Sequence, residues 1–248
     1  MPRYQPKWIG INVLIRDQVS FQTWLLIGAL LQSALVHFVR PPYSFLPAIL
    51  CTAYITLTYL LESFGFLGKS TTPPVNYGRF TAQPPTADTG VTVFLLGFQS
   101  SHPLRLMAPG TKTIGDHFNH IFDEAEKNPE ESGLLGRCGP LLDAAGEGGN
   151  AMFTISYWKT QKHLKDWHSG EAHSNGMKWY YKSRSKYPYL GLMHEIYDCP
   201  AGNFENVYIN FRPFGFRQTK WLVDGEQVAA DIDGGGTKKI EEKFETKS

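Results

Sequence analysis

Between Ala151 and Phe211 the chain gathers the side chains best suited to chemistry on a small molecule. His163, His168, His173 and His194 alternate there with Trp158, Trp167, Trp179 and a series of tyrosines. Imidazole takes up and releases protons near neutral pH, so a general base or a hydrogen-bond donor is the natural role for such a side chain. Aromatic walls around it exclude water and hold a greasy, oxidisable ligand. His173, Met177 and Tyr180 are spaced four and three apart, so on a helix they share a face, with Trp179 to its side. On an extended segment His194 points to the same side as Leu190, Leu192 and Ile196, and Glu195 points away. Read singly, each of these two histidines is an ordinary core residue with a satisfied hydrogen bond. The functional reading rests on the cluster.

Other histidines carry weaker signals. His163 and His168 stand among Lys162, Lys165 and Asp166 and read as a solvated face. His117 and His120 have a spacing compatible with a metal, but no acid or cysteine completes a site, so a surface pair is expected and no metal site is assigned. Searches for the dinucleotide fingerprint, the phosphate loop, the nucleophile elbow and the zinc-protease motif find nothing. A net charge of +1 without a basic stripe gives no case for nucleic acid. Cys51, Cys138 and Cys199 are far apart with no CxxC, so free thiols in a reducing compartment are expected.

The elements that must position these residues follow from periodicity. Val91 to Phe98, Ala151 to Trp158, Leu190 to Tyr197 and Glu205 to Phe211 read as strands. Ile114 to Lys127 reads as a helix with an apolar stripe, and Thr160 to Lys182 as a second, weakened by Gly170 and Gly176. Residues 133–149 are glycine-rich, with a short strand expected around Leu134 to Arg137. The order β-α-β-β-α-β is that of a ferredoxin-like α+β sandwich with a closing strand added. Helices cover one face of such a sheet; the other face needs a partner, which makes a homodimer the expected assembly.

Two apolar stretches precede this domain. Phe21 to Val39 has no Lys, Arg, Asp or Glu, and Tyr43 to Leu67 has only Glu62. Each is long enough to cross a bilayer core, and Arg40-Pro41-Pro42 separates them, so a transmembrane helical hairpin is expected. A signal peptide or a buried helical pair fits less well. Arg3, Lys7 and Arg16 before the hairpin and Lys69 and Arg79 after it place both ends and the soluble domain in the cytosol. The expected organisation is a cytoplasmic segment over 1–20, the hairpin over 21–67 and a proline-bearing linker over 68–89. The domain follows over 90–222, with a disordered polar tail over 223–248.

The block from Trp158 through Lys182, followed by GLMHEIYDCPAGNFENVYIN, resembles the fungal monooxygenase family of antibiotic-biosynthesis-monooxygenase type, which includes an enzyme of the fumagillin cluster. The matching features are Trp158 at a strand end, His173 and Trp179 with five residues between them, and His194-Glu195-x-Tyr197 followed by Pro200-Ala201-Gly202, Glu205 and Tyr208. The resemblance covers about residues 89–213. It implies a dimeric α+β barrel that inserts oxygen from O2 into a lipophilic terpenoid or polyketide of secondary metabolism; the hairpin would anchor this cytosolic domain to a membrane, with the endoplasmic reticulum the expected one. Within it, His173 and His194 would be the catalytic pair, and Trp158, Trp179, Tyr180 and Tyr208 the substrate-binding walls. The cofactor stays open: none, haem or flavin. A substrate without acidic C–H needs such a group, or a membrane-bound oxidase as partner, to supply electrons. Two other readings stand beside this one. They are a non-oxidative isomerase, cyclase or dehydratase on the same fold, and a non-catalytic accessory protein of an oxidase.

Overall fold

The computed structural model describes residues 20–41, 43–66, 75–86, 88–143 and 151–233. Helix α1 (Phe21–Phe38) is capped by Ser20, whose hydroxyl accepts from the Thr23 amide at 3.2 Å. After a one-turn segment at Tyr43–Phe45, α2 (Leu46–Ser63) begins with Pro47 in its first turn. The connection is tied by Gln32, whose Nε2 donates to the Ser44 carbonyl at 3.2 Å. Both helices are long and apolar enough to span a membrane, and neither has a buried residue. Leu30, Leu31, Leu50 and Tyr54 all stay exposed.

The domain opens earlier than expected. Strand β1 (Asn76–Gln83) occupies the segment read as a linker. The prolines nearby in the sequence obscure it, yet Pro84 follows its last residue, as prolines do at strand ends. Next come β2 (Val91–Ser100), α3 (Thr111–Lys127) and the one-turn α4 (Pro129–Ser132). Strand β3 (Leu134–Leu142) and β4 (Ala151–Trp158) follow. β3 is longer than the sequence suggested because it pairs through two register shifts, which let Gly136 and Pro140 stay within it. The expected second long helix is two, α5 (Gln161–His168) and α6 (Glu171–Ser183), before β5 (Leu190–Cys199). Four strands form one antiparallel sheet in the order β3-β4-β2-β5. This is the ferredoxin-like arrangement, with β2 and β4 central and α3, α5 and α6 on one face.

Alternation divides the sheet. Phe94, Phe98, Trp158 and Leu134 face the helices and pack against Phe122, Ala125, Leu164, Ile114 and Leu106. Arg137 joins β3 to α3: its guanidinium lies 3.0 Å from Glu126 and 3.1 Å from Asp123, and 5.0 Å over the Phe122 ring. The far face carries Val91, Leu95, Gly97, Phe153, Ile155, Tyr157, Met193 and Cys199. Gly97 is needed there, because a Cβ would lie 2.6 Å from the Phe153 ring.

A second layer covers one end of that far face. β6 (Tyr208–Phe211) is not a closing strand of the main sheet. It pairs with β1, which also pairs with β9 (Asp231–Asp233), while β7 (Lys220–Val223) and β8 (Glu226–Ala229) form a hairpin. Strand pairing starts only at Tyr208 because Asn206 uses its side chain instead: Oδ1 accepts from the Ala82 amide at 2.6 Å and Nδ2 donates to the Ala82 carbonyl at 2.8 Å. Ala82, Val91, Leu135, Phe216, Trp221 and Ala230 form the core between the layers. Residues 223–233, expected to begin a disordered tail, therefore belong to the fold; the rest of that tail, and residues 1–19, lie outside the described residues. Cys51, Cys138 and Cys199 are free thiols.

Candidate active site

The chain breaks between α5 and α6 at Ser169-Gly170. The last carbonyls of α5 are taken by Ser169, whose amide donates to the Lys165 and Asp166 carbonyls at 3.1 Å. Gly170 then serves as the extended N-cap of α6. This break creates the site. On a continuous helix His168 and His173, five residues apart, would point about 140° away from each other. With the chain turned, their ring centroids lie 3.5 Å apart, the planes tilted by 37°. From β5, His194 brings a third ring to 6.3 Å from His168. Three imidazoles from three elements thus converge at the β5 edge of the helix-covered face.

Trp167 backs the group. Its ring is 6.2 Å from His173, 4.7 Å from Trp158, 5.6 Å from Phe122 and 6.4 Å from Phe94. Phe94 in turn lies 5.7 Å from His194. His173 is half-buried; His168 and His194 are exposed. Burial, and next the neighbouring His168, push the His173 imidazole down to about 4. Burial and His194 likewise hold His168 below the usual imidazole range. The expectation of a base titrating near neutral pH is therefore corrected for His173. At neutral pH it is uncharged, a ready acceptor of a proton or hydrogen bond but a weak base.

The aromatic residues expected as walls fall in three places. Trp158 is 0 % exposed, and its indole N–H donates to the Ser156 hydroxyl at 2.9 Å. It is a floor beneath Trp167 rather than a surface a ligand touches. Trp179 and Tyr180 pack toward the Phe98 end of the same face. There Trp179 meets His117 at 5.4 Å, and the Tyr180 hydroxyl donates to the Leu190 carbonyl at 3.1 Å. Tyr208 lies on the opposite side of the sheet. It stacks on Phe80 at 5.1 Å and donates to the Phe214 carbonyl at 2.9 Å, so it does not share a pocket with the imidazoles. His163 bonds the Thr160 hydroxyl at 2.7 Å, at the start of α5. A cavity of about 460 Å³ lined by Pro85, Lys159, His163, Trp221 and Asp224 does not include any of the three imidazoles.

A ferredoxin-like α+β domain with an imidazole cluster on its helix-covered face defines the class. A family model described as Monooxygenase af470-like matches residues 91–216, and the chain belongs to that family. Monooxygenase af470 of Aspergillus fumigatus is 27% identical over 212 residues, which cover 82% of this chain and 76% of that protein. Among solved structures, an aldoxime dehydratase in complex with butyraldoxime aligns at a TM-score of 0.41 and 16% identity, over 58% of this chain. The alignment spans 40% of that enzyme's length. SnoaB, a cofactor-independent oxygenase from Streptomyces nogalater, aligns at 0.31 and 10% identity, over 44% of this chain and 91% of its own. Both are partial likenesses.

Proposed function

We propose that this chain is a membrane-anchored monooxygenase that inserts oxygen into a lipophilic secondary metabolite at the edge formed by His168, His173 and His194. The observation that carries the reading is the convergence of these rings, backed by Trp167, in a member of a monooxygenase family. His173 accepts the substrate proton, and His194, the exposed partner on β5, holds the developing oxyanion. Trp167 and Phe94 give the substrate an apolar surface. Trp179 and Tyr180 lie at the other end of the same face, packed into the scaffold rather than against the imidazoles.

The two apolar helices are proposed to cross the endoplasmic reticulum membrane with both flanks in the cytosol. Their unburied surface supports this. The uncovered end of the far face, around Leu95, Phe153, Ile155 and Met193, is proposed as the homodimer contact.

A substrate with an acidic C–H or O–H needs only a base and O2, whereas a plain isoprenoid needs electrons from haem, flavin or a membrane-bound oxidase. The test is purified full-length protein in detergent, first by absorption spectrum and then by incubation with terpenoid and polyketide intermediates under labelled O2. Label in a product supports the proposal. A product with unchanged oxygen content would replace it with isomerisation, cyclisation or dehydration.

A further inference from the structure

We propose that His168 is a positioning residue: its ring, stacked on His173 at 3.5 Å, opposes a second positive charge beside it and holds the His173 ring with its lone pair open to substrate. The inference rests on the reading above of His173 as the proton acceptor. It assigns a role to a residue whose sequence neighbours, Lys165 and Asp166, suggested only a solvated face.

The geometry carries it. A centroid separation of 3.5 Å is closer than any other ring pair among the described residues, and it brings together two groups that each gain a positive charge on protonation. Two imidazolium rings that close repel strongly in a partly desolvated site, so the first proton on the pair opposes the second. The groups that act on His173 from the elements packed beside it are His168 at the end of α5 and His194 on β5. Both rings oppose a charge on His173, while the His168 backbone carbonyl, which accepts a hydrogen bond from His173, works the other way and stays in place when only the His168 side chain is changed. On its own helix Glu171 is exposed in the first turn. Trp167, one residue before His168, covers His173 on another side at 6.2 Å and adds burial without charge. The Ser169-Gly170 break is what lets one short segment deliver both the cover and the like-charged neighbour.

An uncharged His173 matters because an imidazolium has no lone pair for the substrate. A free imidazole would be partly protonated in a mildly acidic compartment; this one stays open for proton acceptance there.

The experiment is a titration of the full-length chain in detergent, with histidine rings labelled with carbon-13 and the His173 signal assigned by its loss in His173→Gln. Three forms are compared: the natural chain, His168→Ala and His168→Phe. The phenyl ring keeps the stack and the packing if the alanine variant fails to fold. The His173 midpoint is expected near 4 in the natural chain and to rise toward the ordinary 6.5 in His168→Ala. A smaller rise in His168→Phe measures the share due to charge. A midpoint that stays in place in both variants overturns the proposal, as does a midpoint of about 6.5 in the natural chain. Turnover separates this inference from the reading on which it rests. If the midpoint moves but the acid limb of kcat/KM does not follow it, the role of His168 stands and His173 is not the reacting group.

Discussion

The two ends of the helix-covered face use the same residue types to different ends. At the Phe98 end, Trp179, Tyr180 and His117 pack with Phe118 and Met152, and polar atoms are taken up internally: Tyr180 binds the Leu190 carbonyl, and Ser183 binds the Trp179 carbonyl at 2.7 Å. At the β5 edge, Trp167 and Trp158 support three imidazoles that lie against one another and remain open to solvent. Both ends pair aromatic rings with histidine, so the presence of these residue types does not by itself distinguish scaffold from site. What distinguishes them is that one end packs its rings into the core and ties its hydroxyls to carbonyls, whereas the other leaves imidazoles at an exposed sheet edge.

That contrast can be broken by substitution. Replacing His173 or His194 with Ala should lower turnover by roughly 10²–10⁴-fold, the span of general acid–base catalysis. Tyr180→Phe should leave turnover within a few fold while lowering stability by about 1 kcal/mol, the net worth of one hydrogen bond to a half-buried carbonyl. Equal losses at both ends would erase the distinction. Trp158→Ala should destabilise the domain by about 3–5 kcal/mol, since the ring is wholly enclosed and its loss leaves a cavity. Chemical denaturation measures this, and a loss below about 1 kcal/mol would show that Trp158 does not carry the floor of the site.

Acid sharpens the comparison further. His173 is depressed to about 4 in the folded chain and titrates near 6.5 when unfolded. Between these values the unfolded chain binds more protons, so stability falls as pH drops through that window. His173→Phe should reduce the pH dependence of the melting temperature there, with a remainder left by His168, whose imidazole burial and His194 also hold down. A partial loss is expected from removing residues 20–66, which include both apolar helices. The domain should leave the membrane fraction yet keep part of its turnover, and a complete loss would favour an accessory role that works through the hairpin.

Much of the scaffold was legible in the sequence. Strands such as Ala151–Trp158 and Leu190–Cys199 alternate cleanly, and Phe122 and Ile114 mark the buried stripe of α3. His173 and His194 were singled out by their neighbours. His168 was not, because its partnership depends on a two-residue break that a 3.6-residue period cannot express. The second layer was missed for a different reason. β1 is bracketed by prolines, β6 is short, and both owe their pairing to distant residues, with Asn206 and Ala82 separated by more than a hundred positions. Tyr208 looked like part of the His194 site because the two are close in sequence; the turn after Cys199 carries it to the opposite face.

The central claim is that the imidazole edge performs an oxygenation. Its most direct test compares natural and His194→Ala full-length protein, incubated with terpenoid and polyketide intermediates under labelled O2 and read by mass spectrometry. The account predicts label in a product of the natural chain and a loss of at least a hundredfold, about the lower bound for a catalytic acid or base, in the variant. Equal incorporation by both proteins, or a product that gains no oxygen from either, would contradict it.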